Sequence, residues 1–245
     1  MEFNTYQSPF TWRYASQEMR HIWSEENKRL LWRKIWVSLA EAEGEFGLVT
    51  PFQIDELKLH ESAINIPRAL EIEAEIHHDL MAELKTYAEQ CPLAGGIIHL
   101  GATSMDIEDN ADALRIHQAL KLILGRINGL LRAFVTQIEN YSDLPIMAFT
   151  HIQPAEPTTL GYRLAMYAQD LLQSYIETTA QLSKLKGKGF KGAVGTAASY
   201  GELIGIDKFD QFERILSQKL GLPFFSVSSP TYPRKQDYDV ISTLA

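Results

Sequence analysis

The chain has 245 residues, which is enough for one or two domains with a buried core. Hydrophobic residues make up 45% and charged residues 22%, a composition that is typical of soluble globular proteins and excludes disorder, collagen and low-complexity fibres. The net charge of −8 provides no basic field for nucleic acid or an anionic membrane surface, so we expect neither as a partner. Any anionic ligand must then be held by local hydrogen-bond donors.

The cysteine content and the N-terminal sequence indicate in which cellular compartment the protein resides. The single cysteine, Cys91, has no intramolecular disulfide partner, and the Cys/His spacing of zinc sites is absent, so we predict no metal and a reducing, cytoplasmic location. The N-terminal sequence MEFNTYQSPF lacks the basic and apolar regions of a secretory signal. No apolar run approaches the ~18 residues that a membrane span needs.

Hydrophobic periodicity in the first ninety residues is helical. Residues 24–45 have the pattern of an amphipathic helix. Thr50, Pro51 and Gln53 supply the N-cap, first-turn proline and capping-box glutamine of a second helix. Further helical stretches follow, including one over residues 71–87.

Two long apolar stripes dominate the second half of the chain. In the first, apolar residues recur at steps of three and four and predict a helix over residues 106–140, about 52 Å long at 1.5 Å per residue. The second predicts a helix over residues 158–186, antiparallel to the first, after a stiff, proline-rich loop at 145–157. The last segment, 237–245, is helical in pattern without a stop signal, so we expect the chain to be cut within a helix.

These patterns predict an all-α fold. The sequence PLAGG at residues 92–96 interrupts the periodicity, and we place a domain boundary near residue 102. Residues 1–102 would form a small helical domain, and residues 103–245 the beginning of a long-helix bundle. Because such a long helix would expose an apolar face in a lone chain, we expect homo-oligomerisation.

The sequence HLGATS at residues 99–104 stands at the start of the longest predicted helix. The hydroxyls of Thr103 and Ser104 would lie beside the free backbone N–H groups of the first turn, which favours an anion site. The alternative interpretation of the same two residues is a simple helix cap, worth roughly 1 kcal/mol.

Two further segments contain histidines. Prolines on either side of His151 stiffen the backbone and would hold its imidazole in place to donate a proton, whereas a lone loop histidine is more often structural. His77 and His78 fall within one predicted helix, so they cannot both face the core. Because no partner stands at i+3 or i+4 from either of them, the spacing does not support a metal site.

Glycines and lysines are frequent after the second long stripe. Residues 184–192 lack the Walker spacing of a nucleotide P-loop. The sequence GAVGT at 192–196 predicts a tight turn, for which close backbone packing is the simplest interpretation. TYPRK at 231–235 adds the cations Arg234 and Lys235, which by themselves could be a solvated pair.

The order of these motifs resembles that of adenylosuccinate lyase, in the fumarase/aspartase superfamily. The resemblance covers the whole chain, from RYAS at 13–16 through HLGATS, THIQPAEPTT at 150–159 and GAVGT to TYPRK. It implies β-elimination of fumarate from adenylosuccinate and from the succinylaminoimidazole carboxamide ribotide of purine synthesis. It also implies a purine nucleotide as substrate, a homotetramer, and no cofactor or metal.

The resemblance implies roles for residues at matching positions. The histidine of the THxQPA segment is the family's general acid, which implies that role for His151, with Gln153 in support. The residues implied to bind substrate are Arg13, Tyr14, His78, Asp79, His99, Thr103, Ser104, Gln153 and Arg234.

Two departures from the family pattern stand out. Pro230 occupies a position where many members have a substrate-binding glutamine. The SSxMPxKxNP-like loop with the proton-abstracting serine is absent, so we expect it beyond Ala245 and expect the 245 residues alone to be inactive. The alternatives are another fumarate-releasing lyase of the argininosuccinate lyase or aspartase type, a cycloisomerase relative, or a helical assembly module without catalysis.

Overall fold

The computed structural model describes residues 8–245, which are mainly helical, with connecting turns and longer loops and one two-stranded hairpin. The predicted all-α class is therefore confirmed. The helices, in chain order, are α1 (Gln17–Ile22), α2 (Glu25–Glu45), α3 (Pro51–His60), α4 (Ile66–Ile76), α5 (Asp79–Gln90), α6 (Ser104–Asn140), α7 (Leu160–Lys184), α8 (Ala198–Ile204), α9 (Phe209–Leu220) and α10 (Lys235–Leu244). Strands β1 (Pro145–Thr150) and β2 (Gln153–Thr159) pair antiparallel between α6 and α7.

Side-chain caps explain where the first helices begin. Ser16, Ser24 and Thr50 each accept a hydrogen bond from the backbone N–H three residues ahead, which satisfies a donor that the helix leaves free. At α3 the Gln53 side chain also accepts from the Thr50 backbone N–H at 3.0 Å. The predicted capping box is therefore confirmed, and so is the helix predicted over residues 24–45.

The single helix predicted over residues 71–87 is wrong, because the chain breaks at the two histidines. His77 adopts the left-handed conformation, with φ of 55°, and ends α4. His78 is extended, and its side chain accepts from the Met81 backbone N–H, so it caps α5. The apolar positions of both helices keep a common period across the break, which is why periodicity alone did not reveal it.

Both long helices form close to their predicted limits, and α10 confirms the helical pattern near the C-terminal end. The loop expected between α6 and α7 is instead the hairpin of β1 and β2, with an irregular register between Met147 and Phe149. Prolines in β2 argued against a strand, yet a two-stranded hairpin tolerates them because each strand has a free edge. The Gly161 N–H at the start of α7 donates to the Tyr141 carbonyl at 2.8 Å, so the hairpin returns the chain to the end of α6.

The described chain divides into two compact units. The first unit contains residues 8–116 and 185–234, and the second contains residues 117–184 and 235–245. The predicted boundary near residue 102 falls inside the first unit, and the division into domains at that point stays a prediction.

The core of the first unit lies around α2 and is built from aliphatic and aromatic side chains. Two arginines are buried with it: Arg29 and Arg33 donate to the fully buried Glu83 carboxylate at 3.0 and 2.7 Å. The largest fully buried apolar side chains are Ile35, Trp36, Leu39, Leu57, Leu80, Tyr87, Phe190, Tyr200 and Phe212.

The second unit leaves much of its apolar surface uncovered. Apart from the buried Leu120, the predicted apolar stripe of α6 is only partly buried in this unit. Within residues 8–245, no helix combines the length and hydropathy needed to cross a bilayer. The large apolar side chains exposed on the helices of the second unit are Leu130, Val135, Tyr162, Met166, Tyr167, Leu172, Ile176, Tyr238, Ile241 and Leu244.

Candidate functional site

The N-terminus of α6 is capped by an acid that the sequence analysis did not single out. The Asp106 carboxylate accepts from the Thr103 backbone N–H at 3.1 Å, and the Asp106 N–H donates to the Thr103 carbonyl at 2.9 Å. Within the described part of the chain, the Thr103 hydroxyl makes no hydrogen bond. The capping interpretation of Thr103 therefore does not hold for its side chain, which stays available to a ligand.

A buried ion pair fastens the GAVGT segment to this helix start. The Lys188 ammonium pairs with Asp106, and both side chains are fully buried. Lys188 also donates to the Gly192 carbonyl at 3.1 Å, while the Gly192 N–H donates to Asp106 at 3.2 Å. From the sequence alone, the lysine-rich stretch suggests only a P-loop whose spacing it lacks, because no local pattern indicates which lysine is buried.

His78 and Ser104 lie together beside the start of α6. The His78 Nε2 atom is 3.4 Å from the Ser104 hydroxyl oxygen, and His78 Nδ1 accepts from the Met81 backbone N–H at 3.4 Å. Asp79 follows as the first residue of α5, where its carboxylate accepts from the Leu80 N–H at 2.8 Å. The hydrogen bond by which His78 caps α5 thus turns its Nε2 atom toward the start of α6.

His99 is held rigidly at the same end of α6. Its φ of 72° is left-handed, a region that a residue with a side chain seldom occupies. The Trp36 indole Nε1–H donates to His99 Nδ1 at 3.1 Å. Burial, with a smaller contribution from His78, lowers the pKa of His99 to about 4, so the imidazole is neutral at pH 7.

Arg234 reaches α6 through a nearly buried carboxylate. Asp109 accepts from the Arg234 guanidinium at 2.7 Å and from the Tyr232 backbone N–H at 2.8 Å. The guanidinium also lies 4.4 Å from the centroid of the Tyr232 ring. The TYPRK segment is therefore anchored to α6 at Arg234, which the solvated-pair interpretation did not anticipate.

A cleft of about 240 Å³ connects Arg234 with Asp79 in the first unit. Burial, together with the neighbouring carboxylates of Asp79, Asp112 and Asp109, raises the pKa of Glu108 in this cleft to about 7. No group of three or more potential ligands in residues 8–245 is arranged to hold a metal ion. The cleft is lined by Lys28, Trp32, Asp79, Met105, Glu108, Asp109, Asp112, Arg115 and Arg234.

His151 lies in the hairpin turn of the second unit, and Gln153 is the first residue after that turn. His151 and Ile152 form the two-residue loop, with φ values of 49° and 63°, and Thr150 pairs with Gln153. Positive φ at both positions is the pattern of a type I′ turn, which usually carries Asn or Gly. A histidine and an isoleucine in these positions are strained, and such strain is concentrated at functional sites.

Arg13 and Tyr14 follow a 3-10 turn near the N-terminus, and both are exposed. The Arg13 guanidinium lies 4.7 Å from the centroid of the Trp12 ring, and the Tyr14 and Phe10 rings are 5.6 Å apart. The structure thus brings together His78, His99, Thr103 and Ser104 at one helix start, anchors Arg234 further along it, and places Arg13 and Tyr14 on a separate turn.

Comparisons with known proteins show which proteins the chain resembles. The chain is 38% identical to an adenylosuccinate lyase of Schistosoma mansoni and 37% identical to one of Saccharomyces cerevisiae, covering 100% of this chain and 52% of each relative. It therefore spans about half the length of the curated relatives it matches.

Among solved structures, a fumarate lyase from Mesorhizobium sp. BNC1 matches 94% of this chain and 53% of its own, with a TM-score of 0.81 and 24% identity. A 3-carboxy-cis,cis-muconate lactonizing enzyme from Pseudomonas putida matches 96% of this chain and 54% of its own, with a TM-score of 0.83 and 24% identity. These two likenesses establish the fold. A family profile described as "Lyase" matches residues 18–238, and the chain belongs to that lyase family.

Proposed function

We propose that this chain is part of an adenylosuccinate lyase, a carbon-nitrogen lyase that releases fumarate from adenylosuccinate to give AMP. By the same chemistry it would release fumarate from the succinylaminoimidazole carboxamide ribotide of purine synthesis. The observation that carries the proposal is the meeting of His78, His99, Thr103 and Ser104 at one helix start, in a chain similar along its whole length to adenylosuccinate lyases.

The reaction needs donors wherever negative charge collects. Removal of a proton beside a carboxylate builds up charge on that carboxylate, so fixed hydrogen-bond donors lower the barrier. The start of α6 offers such donors through its first-turn N–H groups, the hydroxyls of Thr103 and Ser104, and the imidazoles of His78 and His99. Arg234, Asp79 and Gln153 are assigned to substrate binding as well, and Arg13 and Tyr14 to the nucleotide.

We assign the general acid to His151. As the carbon–nitrogen bond breaks, its electron pair goes to the leaving nitrogen, which takes a proton from the imidazole, while the electrons of the cleaved C–H bond form the carbon–carbon double bond of fumarate. A positioned histidine contributes roughly 10²- to 10⁴-fold to such a step. The strained turn that presents His151 supports this role. The proton acceptor is assigned to none of the residues described here.

We further propose that the protein is a cytoplasmic homotetramer. Support comes from the apolar side chains that the second unit leaves exposed on α6, α7 and α10, because monomeric soluble proteins seldom expose apolar patches of this extent. A second copy with the same helices would cover such a surface.

The test is fumarate release by the complete protein that contains this chain. Turnover of adenylosuccinate without turnover of argininosuccinate is the expected result. Turnover of argininosuccinate alone would replace the proposal with the related lyase. Release from neither substrate by folded protein would refute both and favour a helical assembly module.

A further inference from the structure

One nitrogen of the His99 ring is already occupied by an indole. Trp36, on α2, is only 1% exposed, and its Nε1–H donates to His99 Nδ1 at 3.1 Å. The two rings meet edge to face, with centroids 6.1 Å apart. An indole N–H can only donate, so Nδ1 must accept and cannot carry a proton while this bond exists.

The position of the remaining proton follows from the charge of the ring. Because burial lowers the pKa of His99 to about 4, the imidazole is neutral at pH 7 and carries a single N–H. That proton must reside on Nε2, which makes no hydrogen bond within residues 8–245. His99 therefore offers one donor and no acceptor to any group that approaches Nε2.

The ring of His78, next to His99, has the same pattern of hydrogen bonds at Nδ1. Its Nδ1 accepts from the Met81 backbone N–H, so its neutral form also carries the proton on Nε2, which faces the Ser104 hydroxyl oxygen. When the Ser104 oxygen accepts this proton, its own hydrogen is free to point elsewhere. Both histidines thus accept from the protein at Nδ1, and the donors that remain at the start of α6 are the Nε2–H of His99 and the hydroxyl hydrogen of Ser104.

We propose that Trp36 is a positioning residue that fixes His99 in the Nε2–H tautomer, so that His99 is a hydrogen-bond donor to an anionic oxygen of the ligand and not a proton acceptor. The anion would be a carboxylate or phosphate, and this part rests on the proposed function. The tautomer rests on the Trp36 contact alone. A donor set in advance needs neither a ring flip nor a proton transfer when the ligand binds, which is the condition for effective stabilisation of charge.

The tautomer can be measured without ligand by two-bond ¹H–¹⁵N correlation spectra of the imidazole rings in this chain. At pH 7 the unchanged chain is expected to show His99 protonated on Nε2 alone. Trp36→Phe keeps an aromatic ring but removes the donor, and it should produce a mixture of tautomers. Trp32→Phe, one helical turn away and equally buried, is the matched control and should leave the His99 tautomer unchanged.

Two results would overturn the proposal. A proton on Nδ1 in the unchanged chain would contradict the assigned hydrogen bond, and this measurement holds even where Trp36→Phe does not fold. An unaltered, single Nε2–H tautomer in folded Trp36→Phe would show that something other than Trp36 sets the ring. Absence of lyase activity would refute the proposed function and leave both spectra unaffected, so the two failures are distinguishable.

Kinetics of the complete protein test the donor role of His99. Loss of one orienting hydrogen bond is worth about 1 kcal/mol, so Trp36→Phe should raise KM for adenylosuccinate roughly fivefold, and kcat should also fall if the same donor faces the charge that develops in the reaction. A purely structural defect would lower the amount of active enzyme and leave KM in place. An unchanged KM in folded Trp36→Phe would overturn the donor role, whether or not kcat falls.

Discussion

Glu43 lies buried in the first unit, and the free-energy cost of burying its carboxyl group can be tested directly. The residue is on α2 and is 0% exposed, and neither Oε1 nor Oε2 has a hydrogen-bond partner within residues 8–245. The hydroxyl of Tyr200, which is also fully buried, has no hydrogen-bond partner among the described residues. Burial raises the pKa of Glu43 to about 9, from an ordinary value of 4.5. The folded chain therefore holds this carboxyl protonated at pH 7.

The cost of that protonation follows from linkage. The unfolded chain releases the proton above pH 4.5, whereas the folded chain keeps it until about pH 9, so stability is full below pH 4.5 and falls as the pH rises toward 9. At pH 7 the difference is about 3 kcal/mol, because each pKa unit corresponds to about 1.4 kcal/mol. Glu43→Gln replaces the acid with a neutral group of the same shape and removes this cost.

Urea unfolding of the chain at several pH values measures the effect. The stability gained by Glu43→Gln should be under about 1 kcal/mol at pH 5 and grow toward about 3 kcal/mol at pH 7. Glu26→Gln, an exposed position on the same helix, is the control and should change stability by no more than about 1 kcal/mol at either pH. A gain from Glu43→Gln that is the same at pH 5 and pH 7 would refute the assigned burial cost.

Three further predictions concern the candidate site. His151→Gln in the complete protein should lower kcat by roughly 100-fold or more while thermal unfolding is unchanged, and normal turnover would remove His151 as the acid. Ile152→Gly should raise stability in urea by about 1 kcal/mol, because glycine accepts the positive φ of this turn without strain, and a loss of stability would contradict the turn geometry. Combined Thr103→Ala and Ser104→Ala should weaken AMP binding to the complete protein by roughly tenfold in calorimetry, and unchanged affinity would place the anion elsewhere.

Local sequence signals determined most of the helical architecture. The capping box at Thr50 and the long apolar stripes placed α3, α6 and α7 within a few residues, because caps and periodicity depend on neighbours one or two turns away. The same reasoning failed at His77 and at the hairpin of residues 145–159. There a single left-handed residue and a two-residue turn redirect the chain without altering its hydrophobic pattern.

The candidate site, too, was determined partly by local sequence and partly by tertiary structure. The sequence indicated Thr103, Ser104 and His99 through their position before a long helix. Only the tertiary structure showed that Trp36, 63 residues away, donates a hydrogen bond to Nδ1 of His99.

The ion pairs that anchor other segments of the site to α6 join residues that are even further apart in the sequence. Lys188 binds Asp106 across 82 residues, and Arg234 binds Asp109 across 125. Such pairs depend on how the helices pack, and packing selects one partner among many equally suitable lysines, arginines and acids. The pattern of residues thus determined which groups were available for the chemistry, and the buried contacts between distant segments decided which of them were held in place for it.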